Sequence, residues 1–119
     1  MSRSRQFSSP GLSLTAAVFY ILLSLTLKDR HGYDILKHVQ TNSAGRVRLG
    51  PGTLYTTLKR MLEAGLITEV AERPAPEQDD ARRRYYRLTA RGRELLEAEL
   101  SRMKEALALA HGRTAQASP

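Results

Sequence analysis

Between Pro51 and Ala64 the apolar and polar positions separate onto two sides of a helix. At about 100° per residue Leu54, Leu58, Met61 and Leu62 gather on one side and Thr53, Thr56, Lys59, Arg60 and Glu63 on the other, with Tyr55 and Thr57 at the borders. Pro51 suits a first helical turn, where its missing N–H has no partner to lose, and Gly65 suits the left-handed position just past the last turn. One face is therefore core. The other carries hydroxyls, a lysine and an arginine, groups that meet base edges and phosphates when a helix lies in a major groove. A solvated surface helix shows the same split, so the surrounding elements have to decide.

Leu12 to Leu27 is apolar almost all the way round and predicts a first helix covered on two sides, by the chain itself or by a second subunit. With Arg3 and Arg5 ahead of it, the run resembles a signal anchor. It is, however, interrupted by Ser13, Thr15, Ser24 and Thr26, is shorter than the roughly 20 residues a bilayer requires, and is followed by no small-residue cleavage site. Tyr33, Ile35, Leu36 and Val39 give a shorter amphipathic helix that fades at Ser43-Ala44-Gly45, and Arg46-Val47-Arg48-Leu49 alternates as a minimal strand. Beyond Gly65, Leu66–Arg73 and Arg82–Leu88 read as two strands of a hairpin, with Pro74–Ala81 as its loop. Thr89 can cap a last helix from Ala90 to His111, in which Leu96, Leu100, Met103, Leu107 and Ala110 form a heptad seam. Met1–Pro10 and Gly112–Pro119 hold few apolar residues and are expected to be mobile tails.

The order of elements predicts a mainly α fold with a small β-hairpin: a winged helix-turn-helix domain over residues 11–89, then a dimerisation helix over 90–111. A length of 119 residues allows one small core. An apolar fraction of 41% and a charged fraction of 26% are ordinary for a globular protein, so sign is the informative quantity. The formal charge of +7 favours an anionic partner, and six arginines without an acid between Arg82 and Arg93 concentrate that charge on the second wing strand and the start of the last helix. Arg91 and Arg93 fall in a first helical turn, where the dipole prefers acids, and Gly92 is a poor helix former unless something approaches its backbone closely. The absence of cysteine fits a reducing cytoplasm and excludes thiolate chemistry.

Enzymatic readings find little support. Gly50-x-Gly52 follows a short strand and precedes a helix, as in a dinucleotide fingerprint, but Tyr55 stands where the third glycine belongs and no βαβ unit surrounds it. No phosphate-loop Gly-Lys-Ser/Thr run occurs, and no nucleophile and base can be named. His31, Asp34 and His38 share a helical face that could in principle hold a metal, but no fourth ligand is evident. The expectation is a protein without enzyme activity, metal or cofactor.

Four pieces of the chain resemble the PadR-type bacterial transcriptional regulators: His31-Gly32-Tyr33-Asp34-Ile35; Gly50-Pro51-Gly52-Thr53-Leu54-Tyr55 running on through Leu58-Lys59-Arg60; Ala64-Gly65-Leu66-Ile67; and Arg84-Tyr85-Tyr86-Arg87-Leu88-Thr89 with Gly92-Arg93. They stand in the family's order over about Leu12–Leu109. The resemblance implies a homodimeric DNA-binding repressor in which the last helix packs on the partner's first helix. Thr53, Tyr55, Lys59 and Arg60 would then face duplex DNA together with Arg82, Arg83 and Arg84, and helix periodicity adds Thr56. Phe19, Leu23, Leu96, Leu100, Met103 and Leu107 are the residues assigned to the dimer surface.

Two features depart from the family pattern. Glu77, Asp79 and Asp80 at the wing tip would repel phosphate, so the arginine base of the wing is the expected contact. The chain also lacks the tryptophans between which some short relatives stack flat aromatic effectors, so an effector stays unidentified; Phe19 and Tyr20 could line a pocket at the interface, although aromatic residues of an apolar helix are more often core. The alternative reading is a winged helix used for protein contact without sequence-specific DNA binding.

Overall fold

A computed structural model of the protein describes residues 14–70 and 84–112. Helix α1, Ala16–Ser24, is shorter than its apolar run because hydroxyls intervene at both ends. Thr15 Oγ1 accepts from the Val18 N–H (3.2 Å), while the Ser24 and Thr26 hydroxyls donate back to the carbonyls of Ile21 and Leu23 (2.7 and 2.9 Å). Val18, Phe19, Ile21, Leu22 and Leu25 are buried within the chain, since α1 packs on two later helices. The first of these, α2 (Gly32–Asn42), begins at His31, whose Nδ1 accepts from the Asp34 N–H at 3.3 Å. It ends in two left-handed residues, Ala44 (φ 57°) and Gly45 (φ 79°), the second donating to the Gln40 carbonyl at 2.8 Å.

Arg46–Leu49, expected as a minimal strand, starts with a bend at Arg46 and forms no strand. Its alternation reflects anchoring instead: Val47 and Leu49 pack against the core, and the Val47 N–H finds the buried Ser43 hydroxyl (2.9 Å) in place of a neighbouring strand. The third strand of the sheet lies elsewhere, at Arg30–His31 (β1). With β2 (Ile67–Val70) and β3 (Tyr85–Leu88) it forms an antiparallel sheet in the order β1-β3-β2, in which Arg30 faces Tyr86 and Ile67 faces Leu88. The two hairpin strands are thus present within their expected ranges, of which residues 71–73 and 82–83 lie outside the described residues. The wing loop and its acidic tip, Arg82 and Arg83, the expected mobile tail 1–10 and all of the expected mobile tail 112–119 except Gly112 lie outside the described residues.

Helix α3, Pro51–Glu63, has the predicted start and stop. Gly65 adopts φ 79°, and the N–H groups of Gly65 and Leu66 close onto the carbonyls of Leu62 and Met61 (3.1 and 3.0 Å). Leu54, Leu58 and Met61 are buried and join Ile21, Leu22, Ile35, Val39, Leu66, Ile67, Tyr86 and Leu96 in one core. Helix α4, Ala90–Ala110, starts at Thr89, whose hydroxyl accepts from the Gly92 N–H (3.0 Å). No helix among the described residues is long and apolar enough to cross a membrane.

Two side-chain constraints hold these helices in place. The Arg30 guanidinium donates to the Ser24 carbonyl (2.6 Å) and to the Asp34 carboxylate (2.9 Å), tying the end of α1 to the first turn of α2. Burial pushes the Asp34 carboxyl up, but Arg30 with His38 and His31 nearby outweighs it, and the group lies below its usual 3.8. Gly92 packs against Leu66: a β-carbon there would collide with the Leu66 carbonyl oxygen and come within 3.0 Å of Leu88 Cδ1.

Gly92→Ala is therefore expected to destabilise the protein by about 1–3 kcal/mol in urea unfolding, against the roughly 1 kcal/mol by which alanine normally favours a helix interior. A variant at least as stable as the parent would show that α4 does not approach Leu66 so closely.

A second expectation concerns acid. Because the folded-state pKa of Asp34 is lowered, its contribution is complete above the unfolded value and disappears as pH falls through the folded one. Asp34→Asn should cost stability at neutral pH, and the gap to the parent should close in urea titrations at pH values below the lowered pKa. A gap of constant size across that range would remove Asp34 from the acid response.

Candidate nucleic-acid interface

The outer face of α3 is open. Thr53, Thr56, Lys59, Arg60 and Glu63 are exposed, and Thr57 at the border is half-buried, its hydroxyl donating to the Thr53 carbonyl at 2.8 Å. Among the described residues Lys59 and Arg60 make no ion pair, so both cations are available to an outside acceptor. Separation of the two faces follows directly from the helical period, with the apolar side anchoring α3 and the polar side left to solvent.

Tyr55 behaves differently from its neighbours. It is 48% exposed, yet its ring lies over Gly32 at the start of α2: a β-carbon on Gly32 would sit 2.8 Å from Tyr55 Cζ. Any hydroxyl contact Tyr55 makes outside the chain thus comes from a ring already seated on the protein. The glycine of the His31-Gly32-Tyr33 segment is the sequence signal for this close approach, and helix periodicity alone does not reveal it. Tyr86, behind it on β3, is buried; that burial first, and then Glu69 and the Tyr55 phenol, raise its hydroxyl above the ordinary value of 10.0.

The arginine tract is less uniform than its sequence. Arg84 is exposed but donates to Glu69 across the hairpin at 3.0 Å, which raises its pKa further through the hydrogen bond and the adjacent carboxylate. Arg87 makes a two-pronged contact with Asp29, at 3.1 and 2.9 Å, tying β3 to the segment before β1. Part of the excess charge is thus engaged in stitching the sheet, although exposed pairs of this kind are weak and can be exchanged for another anion. Arg91 and Arg93 are exposed on the first turn of α4.

His31, Asp34 and His38 do share a neighbourhood, but they hold one another. His31 caps α2, and Asp34 lies 3.6 Å from His38 and accepts from Arg30. Among the described residues no group of three His, Cys, Asp or Glu side chains is arranged to hold a metal ion.

The residues assigned to a dimer surface divide into two sets. Leu96 is 1% exposed and Phe19 8%, so both belong to the core of the single chain, while Leu23 is half-buried. Leu100, Met103 and Leu107 are 38%, 45% and 57% exposed on the part of α4 that extends past the core. A heptad pattern does not distinguish an intrachain seam from an intersubunit one, and here it runs from the first into open surface.

The fold recurs among solved proteins. A PadR family transcription regulator from hypervirulent Clostridium difficile R20291 is 29% identical, with a TM-score of 0.64 over 82% of this chain and 98% of that one. The protein smu.1704 from Streptococcus mutans UA159 is 24% identical, with a TM-score of 0.62 over 87% of this chain and 92% of that one. Bacillus subtilis PadR, solved in complex with operator DNA, is 22% identical, with a TM-score of 0.60 over 72% of this chain and 48% of that one. No curated protein matches the sequence. The model of the transcriptional regulator PadR-like family matches residues 21–98, which include α2, α3, the wing strands and the start of α4. The winged helix-turn-helix domain and its C-terminal helix therefore make this chain a member of the PadR-like family of transcriptional regulators.

Proposed function

We propose that the protein is a cytoplasmic, homodimeric repressor that binds an inverted-repeat operator with α3 in the major groove and the base of the wing on the adjacent backbone. The observation that carries this reading is the outer face of α3: hydroxyls and two cations without ion pairs among the described residues, presented beside the wing sheet by a helix whose opposite face is locked into the core. Bacillus subtilis PadR, which shares the fold, is solved with operator DNA, and that likeness supports a nucleic-acid partner over a protein one. Thr53, Thr56, Lys59 and Arg60 are the candidates for base or near-base contact, with Tyr55 for phosphate and Arg82, Arg83 and Arg84 for the backbone. Arg84 would exchange Glu69 for phosphate as the complex forms. A two-fold dimer presents two such helices, so half-site centres should lie about 10 base pairs, or a multiple of one turn, apart.

If Lys59 or Arg60 donates to guanine, its alanine variant should lose about 1–3 kcal/mol on the operator and much less on random DNA. The quantity to compare is each variant's ratio of operator to random-DNA affinity at one fixed salt concentration. Ratios equal to the parent's in every α3 variant would mean that this face does not read sequence, and a protein-contact role would then fit better.

The second copy is assigned to the exposed stripe of Leu100, Met103 and Leu107, joined by Leu23 of α1. Burying that stripe against its counterpart removes apolar surface from water at roughly 25 cal/mol per Å². Charged replacements at Met103 and Leu107 should give monomers in sedimentation velocity with the melting transition of the domain retained. A well-folded monomer of the unaltered protein at micromolar concentration would end this assignment.

A further inference from the structure

We propose that Arg46 and Arg48 form a second phosphate-binding arm of the DNA interface, at the end of α3 remote from the wing. The inference rests on the DNA-binding reading and adds a site to it. Residues 46–49 are a pinned segment without regular secondary structure and with two unlike sides. Val47 and Leu49 pack against the core, and the Val47 N–H is held by the hydroxyl of Ser43, itself 2% exposed. Alternation then throws Arg46 and Arg48 outward, and both are exposed. Their stems start from fixed backbone, which lowers the ordering cost of any contact they make.

Charge points the same way. Arg30, Arg84 and Arg87 each face a carboxylate, on Asp34, Glu69 and Asp29. Among the described residues Arg46 and Arg48 make no ion pair. From Ile35 to Leu62 the sequence holds five Lys and Arg and no Asp or Glu, so no acid of this stretch competes for them. They are a lasting source of positive potential on the approach to α3.

Reach completes the argument. Arg48 precedes Pro51 by three residues, which places its Cα no more than about 10 Å from the start of α3. A helix with its side chains is about 10–12 Å across and fills a major groove about 12 Å wide, so a segment entering at one helix end meets the phosphate ridge bordering the groove. The wing strands leave from the other end, through Gly65. Two backbone contacts bracketing α3 would fix how deeply and at what angle it enters, which wing contacts alone leave free.

The test compares the parent with Arg46→Ala/Arg48→Ala, Arg46→Lys/Arg48→Lys and the distant exposed control Lys104→Ala, titrated against labelled operator and random duplex over a series of salt concentrations. The alanine pair should bind both duplexes on the order of tenfold more weakly. Its log–log salt slope should be shallower by about 0.9 for every phosphate that is no longer neutralised, counted over both subunits. The lysine pair should keep the parent's slope, since phosphate accepts a point charge, and Lys104→Ala should change neither quantity. An alanine pair with the parent's affinity and slope overturns the arm while leaving the DNA-binding reading intact. Loss confined to the operator and not restored by lysine would make these arginines base readers, and an equal loss in the Lys104 control would reduce them to general charge. Failure of the parent to bind either duplex at low salt overturns both readings together.

Discussion

One backbone carbonyl, that of Leu66, joins α3, the wing strands and α4. It accepts from the Thr89 N–H at 3.1 Å and from the Thr89 hydroxyl at 2.9 Å, and the same hydroxyl reaches the Gly65 carbonyl at 2.7 Å. The Thr89 oxygen in turn accepts from the Gly92 N–H, and Gly92, having no side chain, lets the first turn of α4 settle on Leu66. The end of α3, the start of β2, the end of β3 and the beginning of α4 meet at this point. A displacement here would turn α3 relative to the wing and to the outer run of α4 together, since packed interiors pass a shift on to their neighbours. Both glycines are required by geometry: Gly65 by its left-handed φ, Gly92 by the carbonyl beneath it.

Electrostatics show why a count of arginines is a poor guide to an anion site. The tract from Arg82 to Arg93 supplies most of the formal excess, yet the structure engages Arg84 and Arg87 with carboxylates more than ten residues away in sequence. Lys59, Arg60, Arg46 and Arg48 contribute less to any local sum and are without carboxylate partners among the described residues. In water a pre-existing ion pair is weak, so the paired arginines remain open to a strong anion; they begin from a lower starting potential. Availability depends on where the acids fall in the fold, which the linear charge pattern does not contain.

Legibility in the sequence followed the same division between local and long-range causes. Helix α3 and its exposed face could be read nearly residue by residue, because proline, glycine and the 3.6-residue period are all local signals. The cap at Thr89 and the need for a close approach at Gly92 were also visible, although the identity of the approaching group was not. Helix α1 is shorter than its apolar run because hydropathy does not register hydroxyls returning to backbone carbonyls. The third strand escapes a sequence reading because two residues, Arg30 and His31, carry no period, while the alternation of Arg46–Leu49 imitates a strand for a different reason, core anchoring. Tyr55 falls on the correct helix by periodicity, but its seat on Gly32 is a contact between residues 23 positions apart, which no local signal contains.

Helix α4 has two environments along one rod. Up to Leu96 it completes the core against α1; beyond it Leu100, Met103 and Leu107 are exposed, a stripe that a monomer would leave in water. Because the start of this rod is seated on Leu66, its direction is set by the same junction that sets α3. In the proposed dimer the separation of the two α3 helices is then a consequence of rigid geometry: the partner's position is read along α4, passed through Thr89 and Gly92, and delivered to α3. Spacing of the operator half-sites would be encoded in the packing of α4, and side chains on α3 would decide only which bases are read at each.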